Sequence, residues 1–270
     1  MKLSEIYKVA DGIAPKKLSD EACAIGYYDN SGILIDTGDE IKKVLFSLDF
    51  SFSAIEKAME QGANLIVTHH PAIYGKLGEL CFDDEHLTGA KVVKCLKNSI
   101  SVISMHLNLD FAIGGTDESL MEGISRSADS KSNEWSEPSV MTRLSEGGYG
   151  RSYAVKEIDL KTLTENMKKV FSTNRILVYG DGEKKVRRIA SFCGAGANEK
   201  EVLFALDSGA DVIVSSDFKH HVITMARELG LAVIALTHYA SEDYGFKKYY
   251  EKISQRLDVP CVYHTDEELL

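Results

Sequence analysis

The sequence lacks the features that would place a chain in a membrane or outside the cell. No apolar run approaches the roughly 20 residues that a membrane-spanning helix needs, and the N-terminal segment has no apolar signal-peptide region. The five cysteines are odd in number and widely spaced, and none belongs to a C-x-x-C pair. This pattern does not predict a disulfide framework. These absences favour a cytoplasmic protein with reduced cysteines and no membrane partner.

Positive charge is also in short supply. The chain has 31 Lys and Arg against 41 Asp and Glu, a formal net charge of −10, which argues against a broad surface for nucleic acid or anionic lipid. The sequence contains no P-loop lysine motif. Glycine-rich turns such as Gly194-Ala195-Gly196 cradle phosphates at some helix N-termini, but one triplet is weak evidence and a plain turn is favoured. The net charge does not argue against a local, positively charged binding site.

The length of 270 residues, 44% of them hydrophobic, suits one large domain or two interlocked lobes. Residues 44–68 form a strand–helix–strand pattern, which predicts a parallel right-handed crossover. Residues 15–20 are expected to form a connector, and Asp181-Gly182 predicts a hairpin turn. The serine-rich segment 125–148 is the expected lobe boundary. The predicted domains are therefore a first α/β lobe, 1–128, completed by 240–270, and a second α/β lobe, 129–239.

Two adjacent histidines follow a predicted buried strand. Residues 63–67 are mostly apolar or β-branched, and Thr68-His69-His70-Pro71 comes directly after them. The backbone turns at the carboxyl end of a strand, so both imidazoles can lean toward one crevice, where open α/β sheets keep their ligands. Histidine is the commonest metal ligand among side chains. A metal site is favoured over the alternative of one core histidine and one surface histidine.

The two halves of the chain echo each other. Residues 58–68 resemble residues 205–215, and each segment is a helix end, a Gly-Ala corner and a buried strand. Histidines follow both segments. The spacing His-x-x-x-acid occurs after two further strands, as His106 with Asp110 and as His238 with Glu242. The predicted fold class is therefore α/β, with two similar interlinked α/β lobes and the metal site in the cleft between them.

Six of the eight histidines lie at these four strand ends, namely His69, His70, His106, His220, His221 and His238. With Asp110 and Glu242 they offer nitrogen and carboxylate ligands but no thiolate. Such mixed sites suit Zn, Mn, Fe, Co or Ni, and carboxylates can bridge a pair of divalent cations. The competing interpretation is a surface group of histidines without a fixed metal. Its weakness is that every member follows a buried strand.

Together these motifs resemble a known family, the GTP cyclohydrolase 1 type 2 homologues, also called the NIF-three-like dinuclear-metal hexamer family. The matching motifs occur in family order between about residues 40 and 250: Thr68-His69-His70-Pro71, His106-Leu107-Asn108-Leu109-Asp110 with Gly114-Gly115, Gly148-Tyr149-Gly150-Arg151, Asp217-Phe218-Lys219-His220-His221, and Thr237-His238-Tyr239 with Glu242. The chain has Ser215-Ser216-Asp217 where the family usually has Thr-Gly-Asp. The combination is specific, although each motif alone is not.

The resemblance implies two divalent metal ions per chain and the ligand set His69, His70, Asp110, His238 and Glu242, with zinc the expected metal and Mn, Fe, Co or Ni the alternatives. Four other residues, His106, Lys219, His220 and His221, would contact these ligands or the substrate, and no catalytic residue is assigned. The implied assembly is a toroidal homohexamer. The implied activity is metal-dependent hydrolysis of a nucleotide or related phosphorylated compound, such as ring opening of GTP with formate release. The alternative is a hexameric metal-binding regulatory or interaction protein without turnover.

Overall fold

The computed structural model describes residues 1–75, 77, 80, 87–129 and 138–270. Part of the predicted lobe boundary, including Trp135, lies outside the described residues, as do Cys81 and His86. Within the described ranges the chain is mixed α/β, as predicted. No helix in them is both long enough and apolar enough to cross a bilayer.

The strands and helices alternate along much of the chain. In chain order the strands are β1 (Gly32–Ile35), β2 (Val44–Ser47), β3 (Leu65–Thr68), β4 (Ser101–Ser104), β5 (Ser139–Arg143), β6 (Gly148–Asp159), β7 (Leu177–Tyr179), β8 (Lys185–Ser191), β9 (Val212–Ser215), β10 (Ala232–Ala235) and β11 (Cys261–His264). The helices are α1 (Leu3–Asp11), α2 (Lys16–Ala24), α3 (Phe52–Gln61), α4 (Leu87–Lys97), α5 (Leu107–Phe111), α6 (Thr116–Ser127), α7 (Leu160–Val170), α8 (Glu199–Asp207), α9 (His220–Glu228) and α10 (His238–Ser254).

These elements form two compact units. The first unit comprises Met1–Ala112 and Phe246–Thr265, and the second comprises Ile113–Gly245 and Asp266–Leu270. The domain bounds expected from the sequence, 1–128 with 240–270 and 129–239, stay a prediction.

The first unit is built on a sheet in the order β1-β4-β3-β2-β11. Strands β2, β3 and β4 are buried along their whole length, as expected for parallel strands covered on both faces. Helix α3 begins where Ser51 Oγ accepts a hydrogen bond from the amide of Ala54 (3.0 Å). It ends at Gly62, whose φ of +67° suits a residue without a side chain. The predicted parallel pairing of β2 with β3 is confirmed.

The second unit is built on a sheet in the order β5-β6-β8-β9-β10-β7. Successive residues of β9 pack into different apolar clusters. Val212 and Val214 pack with α6 and α7 residues such as Leu163, whereas Ile213 packs with residues of α8 and α9 such as Val202. Adjacent strand residues point to opposite faces, so this sheet carries an apolar core on each face. Its parallel strands β8, β9 and β10 match the parallel strands of the first unit.

Two local predictions are wrong. Residues 15–20 were expected to connect, but α2 begins at Lys16 because Pro15 occupies the cap and the Lys16 amide donates to Asp11 Oδ1 (2.7 Å). A proline at a helix start has the right φ and loses no helical hydrogen bond. The turn at Asp181 exists, but it does not join a hairpin, since β7 pairs with β10 while β8 pairs with β6 and β9. A turn signal is local and does not specify the strands' partners.

Candidate metal centre

The two adjacent histidines leave β3 through a turn. The amides of His69 and His70 both donate to the carbonyl oxygen of Leu48, at 3.1 and 3.0 Å. The chain therefore departs from the strand pattern that would send successive side chains to opposite faces. As a result the two ring centroids lie 5.1 Å apart.

The orientation of His69 is fixed by its backbone partner. The ring is fully buried, and Nδ1 lies 2.8 Å from the carbonyl oxygen of Met105. A carbonyl only accepts, so Nδ1 carries the proton and the neutral ring presents a lone pair at Nε2. That nitrogen lies 3.4 Å from Oδ1 of the buried Asp110. Two acceptors at this distance require a proton or a cation to link them.

Carboxylates orient two further histidines of the first unit, His70 and His106. His70 Nδ1 lies 2.7 Å from Asp49 Oδ1, and His106 Nδ1 lies 2.8 Å from Asp29 Oδ1. Burial acts to raise the pKa of the Asp29 carboxyl, but hydrogen bonds, led by that with His106, outweigh burial and hold this pKa below its usual range. Each ring thus has its Nδ1 engaged. Ligand atoms of His69, His70 and His106 all lie within 4.8 Å of one another.

The second unit repeats this arrangement at the start of α10. His238 Nδ1 bonds Oδ2 of Asp217, so Nε2 again carries the lone pair of the neutral ring. Nε2 lies 3.1 Å from Oε1 of Glu242, a nearly buried carboxylate one helical turn further along. As with His69 and Asp110, an imidazole nitrogen meets a carboxylate oxygen where a proton or a cation must join them.

A glycine makes room for the Glu242 carboxylate. Gly194 follows β8 with φ +59°, and a Cβ placed on it would lie 2.2 Å from Glu242 Oε1 and 3.5 Å from His238 Nε2. Several hydrogen bonds hold its backbone. Its amide donates to Ser241 Oγ (3.2 Å), and its carbonyl oxygen accepts from Ser215 Oγ (3.0 Å) and Ser216 Oγ (2.6 Å). The serine at 216, where the family usually has glycine, therefore adds a bond to this corner.

The buried ion pair of Asp117 with Arg151 holds the backbone next to Gly194. Asp117 is fully buried, and its carboxylate accepts from the amides of Gly150 (3.0 Å) and Cys193 (3.2 Å) and from Arg151 Nη1. Arg151 is itself 4% exposed. Because Cys193 immediately precedes Gly194, this network fixes the segment that borders Glu242.

The remaining predicted site residues lie on or near the surface of the second unit. Lys219 occupies the N-cap position of α9, and His220 and His221 are its first two residues. His221 is exposed, and its Nε2 lies 2.7 Å from Glu199 Oε1. Among the residues that the structure describes, the three-residue groups with metal-ligand spacing include neither His220 nor His221.

Sequence reasoning missed Asp29, Asp49, Asp117 and Gly194. Asp49 follows the buried strand β2 closely, which is the signal that identified the histidines, so the same rule would have found it. Asp117 carries no local signal, and the glycine-rich turn at Gly194 does not point to Glu242, because both roles arise from contacts between residues distant in the chain.

The residues present fit a divalent cation. In each unit an Nδ1-bonded imidazole offers its Nε2 lone pair beside a buried carboxylate, and neutral imidazole and carboxylate are the ligand types of zinc and related metals. The partners on Nδ1 are the carbonyl and carboxylate groups that usually orient metal-binding histidines. The space that a side chain at position 194 would occupy holds the Glu242 carboxylate rather than an apolar group. A carboxylate in this place favours a metal-binding site.

The chain matches a model of the family described as Duf34/NIF3 (NGG1p interacting factor 3) over residues 1–267. A protein of Clostridium perfringens named GTP cyclohydrolase 1 type 2 homolog is 30% identical over 266 residues, which cover 96% of this chain and 93% of that protein.

Solved structures show the same fold. The Staphylococcus aureus hypothetical protein SA1388 has a TM-score of 0.81 at 22% identity, with 98% of this chain and 96% of that chain covered. Reduced HcgD from Methanocaldococcus jannaschii has a TM-score of 0.76 at 28% identity, with 97% of each chain covered.

Proposed function

Because the chain belongs to the Duf34/NIF3 family, as its motifs led us to expect, we propose that it is a dinuclear-metal-dependent hydrolase. Its substrate would be a nucleotide or related phosphorylated compound, and GTP ring opening with formate release is the named instance. The proposal rests chiefly on two pairs in which a histidine meets a buried carboxylate, His69 with Asp110 and His238 with Glu242. The proposed ligands are these four residues and His70, shared between two metals.

Bound metal would supply a Lewis acid and lower the pKa of water near neutrality. The residues of this chain would orient the ligands and move protons. Asp49 would hold the His70 ring through Nδ1, and the Met105 carbonyl would hold His69 in the same way. Of the candidates for a proton carrier, His106 is favoured over His220 and His221. Its ring lies 5.3 Å from that of His69, and its Nδ1 bond to Asp29 leaves Nε2 to accept or donate a proton.

The proposal extends to the assembly and its compartment. We assign a homohexamer, whose mass would be six times the 29.8 kDa of the chain, and a cytoplasmic location, in keeping with the absence of disulfides among the described cysteines. Zinc is the expected metal, since imidazole and carboxylate ligands suit it well. Light scattering on untagged protein tests the hexamer directly.

Turnover tests the hydrolase proposal. Zinc-loaded protein is incubated with a panel of nucleoside triphosphates, and products are resolved by chromatography. Formate and a ring-opened product from GTP, both lost in Asp110→Ala, would support the proposal. A fully metallated protein that turns over no member of the panel would refute it.

The family description favours a second candidate. The family is described as NGG1p interacting factor 3, which names an interaction rather than a reaction. The alternative function is therefore a metal-binding hexamer with a regulatory or partner-binding role and no turnover. A metallated hexamer that binds a partner protein, and still does so in Asp110→Ala, would favour this alternative.

A further inference from the structure

A cavity of about 540 Å³ lies in the second unit at the carboxyl end of β10. Residues 235–237 border it from β10, and residues 174–177 with Tyr179 border it from the neighbouring edge strand β7 and the chain before it. Ligands of α/β sheets bind at the carboxyl ends of strands. The volume falls in the range of about 300–1,000 Å³ that is typical of small-molecule sites.

Apolar side chains form the walls of this cavity. Leu177 and Tyr179 line it although they are 61% and 36% exposed. Val178, between them, does not line it, because alternate strand residues point to opposite faces. Phe218 and Leu236 add further apolar surface. Exposed apolar side chains gathered on a concave surface mark a ligand site, and aromatic and aliphatic walls suit a planar ring.

The cavity also carries a positive group. Arg175 is the only cationic residue among the described residues that line it. One nitrogen, Nη1, donates to the backbone carbonyl oxygen of Glu268. A guanidinium has five N–H donors in a planar fork, so a single backbone bond anchors the group and leaves it able to donate to an anion. Arginine binds phosphate in a bidentate way.

The cavity adjoins the proposed metal ligand of the same unit. Asp217 lines the cavity, and its Oδ2 bonds His238 Nδ1. Its backbone has φ +47°, a left-handed conformation that aspartate adopts more readily than most residues with a side chain. Thr237, immediately before His238, also borders the cavity. The cavity therefore reaches the His238 ring through Asp217 and Thr237, while none of the five proposed metal ligands is among its described lining residues.

We propose that this cavity is the substrate pocket of the proposed metal centre and that it binds a planar heteroaromatic compound carrying a phosphate. The apolar walls, including Leu177 and Tyr179, contact the ring, and Arg175 contacts the phosphate. This inference rests on the proposed function for the link to catalysis, but the binding itself is measured without turnover.

The test is calorimetric titration of the zinc-loaded full-length protein with GMP and, separately, with guanosine. GMP is expected to bind, and Arg175→Gln is expected to weaken GMP about 10-fold or more while leaving guanosine unchanged. The matched control is Arg187→Gln, which removes an exposed arginine that is bonded to Glu157 and lies outside the cavity. Leu177→Asp, on the exposed edge strand, is expected to weaken both ligands.

Three results would overturn the pocket: GMP that does not bind, GMP that binds Arg175→Gln as tightly as wild type, or ligands unaffected by Leu177→Asp. Metal content measured on the same samples separates this failure from that of the proposed function. A protein without metal whose GMP affinity still depends on Arg175 would retain the pocket and lose the hydrolase proposal. A protein that holds two metals but whose GMP affinity does not depend on Arg175 would retain the hydrolase proposal and lose the pocket. Circular dichroism confirms that each variant is folded.

Discussion

Replacing Gly194 with alanine adds one methyl group at the point where the second unit holds its glutamate. The new Cβ would lie 2.2 Å from Glu242 Oε1, whereas carbon–oxygen contacts are normally about 3.3 Å or longer. The backbone at Gly194 cannot retreat easily, because its amide and carbonyl are bonded to Ser241, Ser215 and Ser216. The carboxylate must therefore move by about 1 Å.

A displacement of this size matters for metal binding. Metal–ligand distances tolerate only about 0.2 Å, and losses of about 10- to 100-fold follow even when a group that merely orients a ligand is removed. Gly194→Ala should therefore weaken zinc binding by about 100-fold. The fold should lose no more than about 1–2 kcal/mol, the cost of a left-handed backbone at a residue with a side chain.

Gly209 offers the matched control. It has φ +73°, and a Cβ added there would meet no heavy atom within 4 Å. Gly209→Ala therefore carries the same backbone cost without touching the carboxylate. Zinc affinity is measured by competition with a chromogenic chelator, and stability by urea unfolding of the metal-free proteins. Equal zinc affinity in the two variants would refute the role assigned to Gly194, as would a Gly194→Ala protein that binds zinc as wild type does.

Three further outcomes are expected. Asp117→Asn removes the buried partner of the Arg151 guanidinium and leaves it the partly exposed Glu118, 3.7 Å away, so it should cost about 3 kcal/mol in urea unfolding. Asp49→Asn should weaken zinc binding about 10- to 100-fold through His70, with unfolding little changed. Burial raises the pKa of the Cys95 thiol to about 12, so the folded state keeps its proton above the ordinary value of about 8.5. The buried neutral thiol therefore contributes its full stability below about pH 8.5, and this contribution is lost as the pH rises toward the folded-state pKa of about 12. At pH 9, iodoacetamide should therefore alkylate the exposed Cys23 and spare Cys95, as mass spectrometry would show.

The parts of the fold that depend on local pattern could be predicted from the sequence. Buried strands such as β3 and β9 are short apolar runs bounded by glycine corners, so their positions and the internal echo were visible. The pairing of β7 with β10 could not be predicted, because strand pairing depends on residues that are distant in the sequence. The start of α2 was missed because Pro15 signals both a connector and a helix start.

The candidate site divides in the same way. His69, His70 and the two His-x-x-x-acid pairs stood out because each follows a buried strand and carries chemistry in a fixed spacing. Gly194 stood out only as part of a glycine-rich turn, and Asp117 did not stand out, because a glycine before a helix and an acid near a helix start are common. Their importance comes from a carboxylate and an amide more than 40 positions away, which no window along the sequence contains.

Metal content per chain tests the central claim most directly. Protein is purified without a histidine tag, as wild type, as His69→Gln and as Glu242→Gln, and metal is measured by mass spectrometry against protein concentration. The account predicts about two divalent metals in the wild type and a sharp fall in both variants, with the fold retained by circular dichroism. A wild type without tightly bound metal, or the same content in all three proteins, would contradict it.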